Sequence, residues 1–220
     1  MTMKVAAIAL MGILGARSGE PGQTARGGVN LNKAKLRTPS QLTEKAPDRF
    51  KATFDTSKGV FMVDVHREWA PLGADRFYNL VKNGFYDDCR FFRVLDGFMA
   101  QVGMNGDPAV QRVWMNANFK DDPVKQSNKR GFVTFAKAAA PNSRSTQFFI
   151  NFADNRRLDA QDFAPFGEVV TGMEVVDMLY SGYGRNNVPD QGQIVAEGNA
   201  YLMKSYPKLD YIKKASIEKE

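Results

Sequence analysis

Two polar residues, Arg93 and Gln101, interrupt the apolar stretch FFRVLDGFMAQVG at residues 91–103 and are the side chains best placed to do chemistry. A guanidinium is permanently charged and carries several donors in a fixed fork, so it can stabilise a developing lone pair without giving up a proton. The stretch reads as two short strands joined at Asp96-Gly97, a pair that tolerates the positive φ of a tight hairpin turn. Strict two-residue pairing would oppose Arg93 to Ala100 and Phe92 to Gln101, which puts Arg93 and Gln101 on opposite faces. The hairpin therefore needs one extra residue, as in a bulge, before both side chains can open onto one groove. Without such a residue, Arg93 is a solvent-facing charge on a core hairpin.

The elements that must carry this pair follow from periodicity. Phe50, Ala52 and Phe54 alternate with polar positions, Ser57-Lys58-Gly59 turns, and Phe61, Val63 and Val65 alternate again, giving two paired strands. Asp64 and His66 fall on the opposite face, expected to be solvated. Pro71 opens a helix, Ala74, Phe77, Leu80 and Val81 follow at helical spacing, and Gly84 closes it. Residues 105–128 read as loop, and the acidic pair Asp121-Asp122 lacks the ligand alternation of a calcium loop. Residues 133–136, 147–152 and 166–170 read as strands. Met173, Val176, Leu179 and Tyr180 mark a second helix, a short helix is expected over 200–206, and 209–217 closes as a strand.

Two blocks in this frame carry a resemblance. Phe91-Phe92-Arg93, Gly97-Phe98-Met99 and Gln101 are followed by Ala136, Thr146-Gln147-Phe148-Phe149-Ile150 and Phe166-Gly167. In order and spacing the chain resembles the cyclophilin-type peptidyl-prolyl cis-trans isomerases over roughly residues 50–217. The resemblance implies a mainly β fold, a closed antiparallel β-barrel capped by two α-helices. It also implies an enzyme that needs no cofactor or metal and speeds X–Pro rotation in peptides and unfolded chains. Arg93 would be the key catalytic donor. Phe98, Met99, Phe149 and Leu158 would line the proline pocket, Gln101 and Gln147 would orient the peptide and Arg93, and the backbone at Ala136 would pair with extended substrate. Phe148 is assigned to the core.

The chain departs from the family pattern at three places. Phe92 stands where many relatives have histidine, Arg157 where an aromatic often sits, and Phe163 is the nearest counterpart of a later histidine. Arg157 and Phe163 would thus form the rim, and cyclosporin-type cyclic peptides are expected to bind weakly. A cyclophilin-fold peptide-binding module or chaperone with little turnover is the alternative.

Composition narrows the remaining possibilities. Of 220 residues, 43% are hydrophobic and 25% charged, ordinary for a soluble globular protein. The formal net charge is +6, but the cations are scattered, which argues against nucleic acid as a partner. One cysteine, Cys89, forbids an internal disulfide, and a single histidine, His66, leaves no histidine-rich metal site. Lys4 precedes an apolar run over 5–16 that suits a secretory signal and is too short to span a bilayer comfortably. The expected organisation is a signal peptide at 1–16, a flexible linker at 17–48 and an isomerase domain at 49–217. Within the domain, 183–207 is an extended connection, longer than in compact cyclophilins, and 218–220 is a tail. A monomer in the periplasm or secreted is expected, without stable membrane insertion; if the run is no signal, the chain is cytoplasmic.

Overall fold

The computed structural model describes residues 34–218; the expected signal peptide and the linker up to residue 33 lie outside them. Eight strands form one antiparallel sheet: β1 (Arg49–Thr56), β2 (Gly59–His66), β3 (Arg93–Leu95), β4 (Met99–Val102), β5 (Phe132–Phe135), β6 (Phe148–Asn151), β7 (Pro165–Thr171) and β8 (Ile212–Ile217). Their order across the sheet is β3-β4-β6-β5-β7-β2-β1-β8. The sheet makes a half-barrel, and a continuous closed barrel is not shown. Its end strands β3 and β8 approach each other through an isolated bridge between Arg90 and Tyr211, just before each strand.

Alternation explains which side of the sheet is core and which is site. Val94 of β3, Ala100 and Val102 of β4, and Phe148 and Ile150 of β6 all point into the main hydrophobic core. Their neighbours Leu95, Met99 and Phe149 point the other way and form a separate apolar cluster with Leu158. Helix α1 (Pro71–Lys82) fills the core with Phe77, whose ring lies 4.8 Å from Phe166 and 5.4 Å from Phe148. It ends as expected at Gly84, where the Phe85 N–H reaches back to the Leu80 carbonyl at 2.9 Å. Its N-terminus has no side-chain cap of its own. Instead Asp122 accepts from the Leu72 and Gly73 N–H groups at 3.1 and 2.8 Å. The acidic pair is thereby explained without a metal: Asp122 caps a helix and Asp121 pairs with Arg144.

Several expectations need correction. Residues 105–128 contain a helix, α2 (Pro108–Trp114), whose cap Asp107 accepts from the Ala109 N–H at 2.8 Å. The Asp-Pro start is a legible helix signal that the loop-like flanks concealed. Trp114 is buried and donates to the Leu36 carbonyl at 2.7 Å, and Leu36 and Ala46 are themselves buried. The described part of the expected linker is thus anchored at Leu36 and Ala46 while most of it stays exposed, because its few apolar residues meet a surface that only the fold creates. Asp64 is likewise buried rather than solvated, covered by the Arg49 guanidinium, whose Nε donates to Oδ1 at 3.1 Å and Nη2 to Oδ2 at 2.5 Å. His66 stacks on Trp69 with centroids 4.0 Å apart.

After α3 (Met173–Asp177), the long connection folds into α4 (Gln191–Glu197) and α5 (Asn199–Ser205). Helix α5 is close to the one expected; α4 is not foreseen. Ile194 and Leu202 from these helices pack with Phe92, Met104 and Leu209 in a small core of their own. Phe92, where many relatives of the resembled family have histidine, is therefore the anchor of this insert rather than a pocket residue.

Candidate active site

The turn between β3 and β4 contains the extra residue that the hairpin requires. Arg93 pairs with Gln101, Val94 with Ala100 and Leu95 with Met99, leaving Asp96-Gly97-Phe98 as a three-residue loop. Gly97 takes φ +66°, and the Phe98 N–H closes the turn onto the Leu95 carbonyl at 3.0 Å. The addition sits in the loop, so the strands stay regular and Arg93 and Gln101 share one face.

Gln101 in turn stands opposite Phe149 on β6, and this brings the second sequence block onto the same face. Gly103, with φ +110°, lets the chain before β6 come close: a β-carbon there would lie 2.5 Å from the Thr146 carbonyl oxygen. The result is a chain of side-chain hydrogen bonds. Arg93 Nη1 donates to Gln101 Oε1 at 3.0 Å, Gln101 Nε2 to Gln147 Oε1 at 2.8 Å, and Gln147 Nε2 to Gln191 Oε1 at 3.0 Å. An arginine can only donate, so it dictates which way every amide in the series faces.

Beside this chain lies a cavity of about 110 Å³ lined by Arg93, Phe98, Met99, Gln101, Ala136, Lys137, Phe149, Leu158 and Phe163. Burial lowers the pKa of Arg93, and the positive charge of Arg185 lowers it further. The wall is aromatic, with Phe149 and Phe163 edge to face at 5.8 Å. Leu158 sits on a 3₁₀ turn (Arg156–Gln161), held because Asp159 accepts from the Asn128 N–H at 2.9 Å and from its side-chain amide at 2.8 Å. The arrangement suits an apolar ring placed against a donor, with no nucleophile and base in contact.

A family model described as cyclophilin type peptidyl-prolyl cis-trans isomerase matches residues 51–198. The chain belongs to the cyclophilin-type peptidyl-prolyl cis-trans isomerases. The isomerase is 31% identical over 173 residues to peptidyl-prolyl cis-trans isomerase B of Escherichia coli, covering 73% of this chain and 94% of that protein. It is 35% identical over 155 residues to a peptidyl-prolyl cis-trans isomerase of Acinetobacter baylyi, covering 62% and 77%. A crystal structure of a Cryptosporidium parvum cyclophilin type isomerase superposes with a TM-score of 0.59 at 20% identity, covering 78% of this chain and 99% of that one, which supports the fold.

Placed in the isomerase, the expected residues divide into three sets. Arg93, Phe98, Met99, Gln101, Ala136, Phe149, Leu158 and Phe163 meet at one cavity. Gln147 lies next door, lining a larger cavity of about 430 Å³ that shares Gln101, Ala136 and Lys137 with the first. Arg157 is outside both, on the rim, with Cζ 4.8 Å from the Phe98 ring centroid. The Ala136 N–H is already used by the Gln147 carbonyl at 2.9 Å. Sequence reasoning missed Lys137, Gln191 and Arg185. Lys137 directly follows Ala136 and could have been included. Gln191 follows Asp190, whose carboxylate accepts from the Gln193 N–H at 2.8 Å, an N-cap signal for α4 that says nothing of where the helix docks.

Proposed function

We propose that the small cavity receives the proline ring of an X–Pro segment and that Arg93 catalyses rotation about its peptide bond. The observation that carries this reading is the convergence of Arg93, Gln101 and the apolar wall Phe98, Met99, Phe149, Leu158 and Phe163 on one cavity. Amide resonance makes the bond stiff, and uncatalysed exchange takes tens to hundreds of seconds. In the rotated state resonance is lost and the proline nitrogen becomes a better acceptor, which a half-buried guanidinium can satisfy. A 10⁵-fold acceleration requires roughly 7 kcal/mol, whereas one charged hydrogen bond supplies about 1.5–3 kcal/mol. The remainder falls to the wall, which holds the ring, and to Gln101 and Gln147, which orient the flanking carbonyl and Arg93 itself. Because the Ala136 N–H is committed to the sheet, its carbonyl is the group left to pair with extended substrate.

The substrates are proline-containing peptides and folding chains. Exchange spectroscopy on a short Ala-Pro-Phe-type peptide tests the assignment: line broadening at substoichiometric protein is expected. Saturable binding without exchange would make the chain a binding module instead. The bridge between Arg90 and Tyr211 supports reading the half-barrel as a barrel joined at that point.

Export is proposed on the apolar run 5–16 after Lys4. No helix among the described residues is long and apolar enough to cross a membrane. Expression in a bacterial host should yield a periplasmic chain beginning near Arg17; a cytosolic chain with an intact N-terminus would defeat the proposal.

A further inference from the structure

Two guanidiniums converge on the ring of Phe98, the aromatic wall of the small cavity. Arg157 Cζ lies 4.8 Å and Arg185 Cζ 5.9 Å from its centroid. Lys137 lines the same cavity, its Nζ 5.6 Å from the Phe163 ring. Lys137 has a carboxylate nearby, Asp162 at 3.8 Å, but among the described residues neither Arg157 nor Arg185 has an acidic partner within 4.0 Å. Arg93 completes the group, and among the described residues its only side-chain hydrogen-bond partner is the neutral amide of Gln101. Like charges around one small cavity repel; burial is the main cause of the lowered Arg93 pKa, and the charge of Arg185 adds to it.

Arg185 is carried by the insert. Tyr183, two residues before it, packs edge to face on Tyr180 at 5.2 Å and Tyr206 at 5.0 Å, beside the cluster anchored by Phe92. Stacking over a ring uses the face of a guanidinium and leaves its N–H edge open to an anion.

We propose that Arg157 and Arg185 form an anion clamp at the rim, selecting substrates that carry a carboxylate or phosphate within about two residues of the proline. The clamp rests on the isomerase reading, since the proline ring over Phe98 places the rest of the peptide at the rim. An exposed pair of cations adds modest affinity and acts chiefly as a discriminator: it attracts an acidic neighbour, repels a basic one, and weakens as salt screens it.

The test uses peptides identical except for one position, walked over two residues on each side of the proline and occupied by Glu, phosphoserine, Gln or Lys. For each, kcat/KM by exchange spectroscopy and Kd by titration are measured at about 0.05 M and about 0.5 M salt. At one position, Glu and phosphoserine should exceed Lys on the order of tenfold, with most of the difference lost at high salt. Arg185→Gln combined with Arg157→Gln should abolish the discrimination, and Arg185→Lys should keep much of it. A larger gain for phosphoserine than its extra charge explains would name phosphate as the preferred group. Equal values for Glu and Lys peptides at every position, with the Gln peptide turned over, would overturn the clamp and leave the isomerase intact. Absence of turnover on every peptide would sink the isomerase reading instead, and Kd values would still decide the clamp: a Glu preference supports it, equal Kd values refute it.

Discussion

Arg93 and Gln101 stand directly opposite each other across the β3–β4 ladder, joined by a hydrogen bond of 3.0 Å from Nη1 to Oε1. That bond holds the guanidinium beside the cavity that both residues line.

Arg93→Ala should cut kcat/KM by about 10²-fold or more while the thermal midpoint moves little. The charged hydrogen bond alone accounts for about 1.5–3 kcal/mol, and the lost orientation of the amide adds to it. The same variant scanned by calorimetry separates the roles: full activity would remove Arg93 from the mechanism, and a large fall in midpoint would make it structural.

Gln191 ends the series of amides that begins at Arg93, and it can only be an acceptor there because Arg93 orients every amide before it. Gln191→Glu keeps the acceptor and should retain most activity. Gln191→Lys offers only donors and should lower kcat by a few-fold with little change in KM, through a shifted Arg93. The side-chain amide resonances of Gln101 and Gln147 should move in the lysine variant and stay in the glutamate variant. Identical kinetics and spectra in both would release Gln191 from this role.

Arg157 occupies the rim over Phe98, where an aromatic would cover apolar ligand surface better than a flexible, hydrated side chain. Wild-type protein should bind cyclosporin-type cyclic peptides weakly with isomerase activity retained. Arg157→Trp should tighten inhibition by about 1–2 kcal/mol, the scale of one aromatic anchor. Equal inhibition of the two proteins would mean that the rim is built by other residues.

Asp64 contributes to the acid limb of stability. Burial works to raise its pKa, but the Arg49 hydrogen bond and the charges of His66, Arg49 and Lys51 outweigh it and hold the carboxyl below its ordinary value. A group with a lowered folded pKa stabilises the fold above its unfolded value, about 3.9, and loses that contribution as pH falls through the folded value. Asp64→Asn should therefore melt lower than wild type near neutral pH, and the gap should narrow as pH falls below about 4. Thermal midpoints between about pH 2 and 7 give the check; a gap that stays constant across that range would exclude the linkage.

Much of the architecture was legible because it rests on local repetition. The alternating residues of β1 and β2, the period of α1 and its stop at Gly84 are each set by neighbours within a few positions, and all appear in the fold. The family resemblance also rests on short blocks, and those blocks contain six of the eight expected residues that meet at one cavity, Leu158 and Phe163 being placed by the spacing beyond them. Even the need for an extra residue between Arg93 and Gln101 could be counted from the two-residue period of a strand.

What the sequence could not determine was where distant segments dock. Its local pattern could not show that Asp122 would cap a helix begun fifty residues earlier, that Leu36 would accept from Trp114, or that Asp64 would be covered by Arg49. Nor could it show that the 183–207 connection would fold back on Phe92 and bring Gln191 and Arg185 to the site. Local order in a strand or helix is read from residues two to four apart. Burial, capping across loops and the charge around a cavity depend on which surfaces the chain brings together at long range, and those exist only once the tertiary structure has formed.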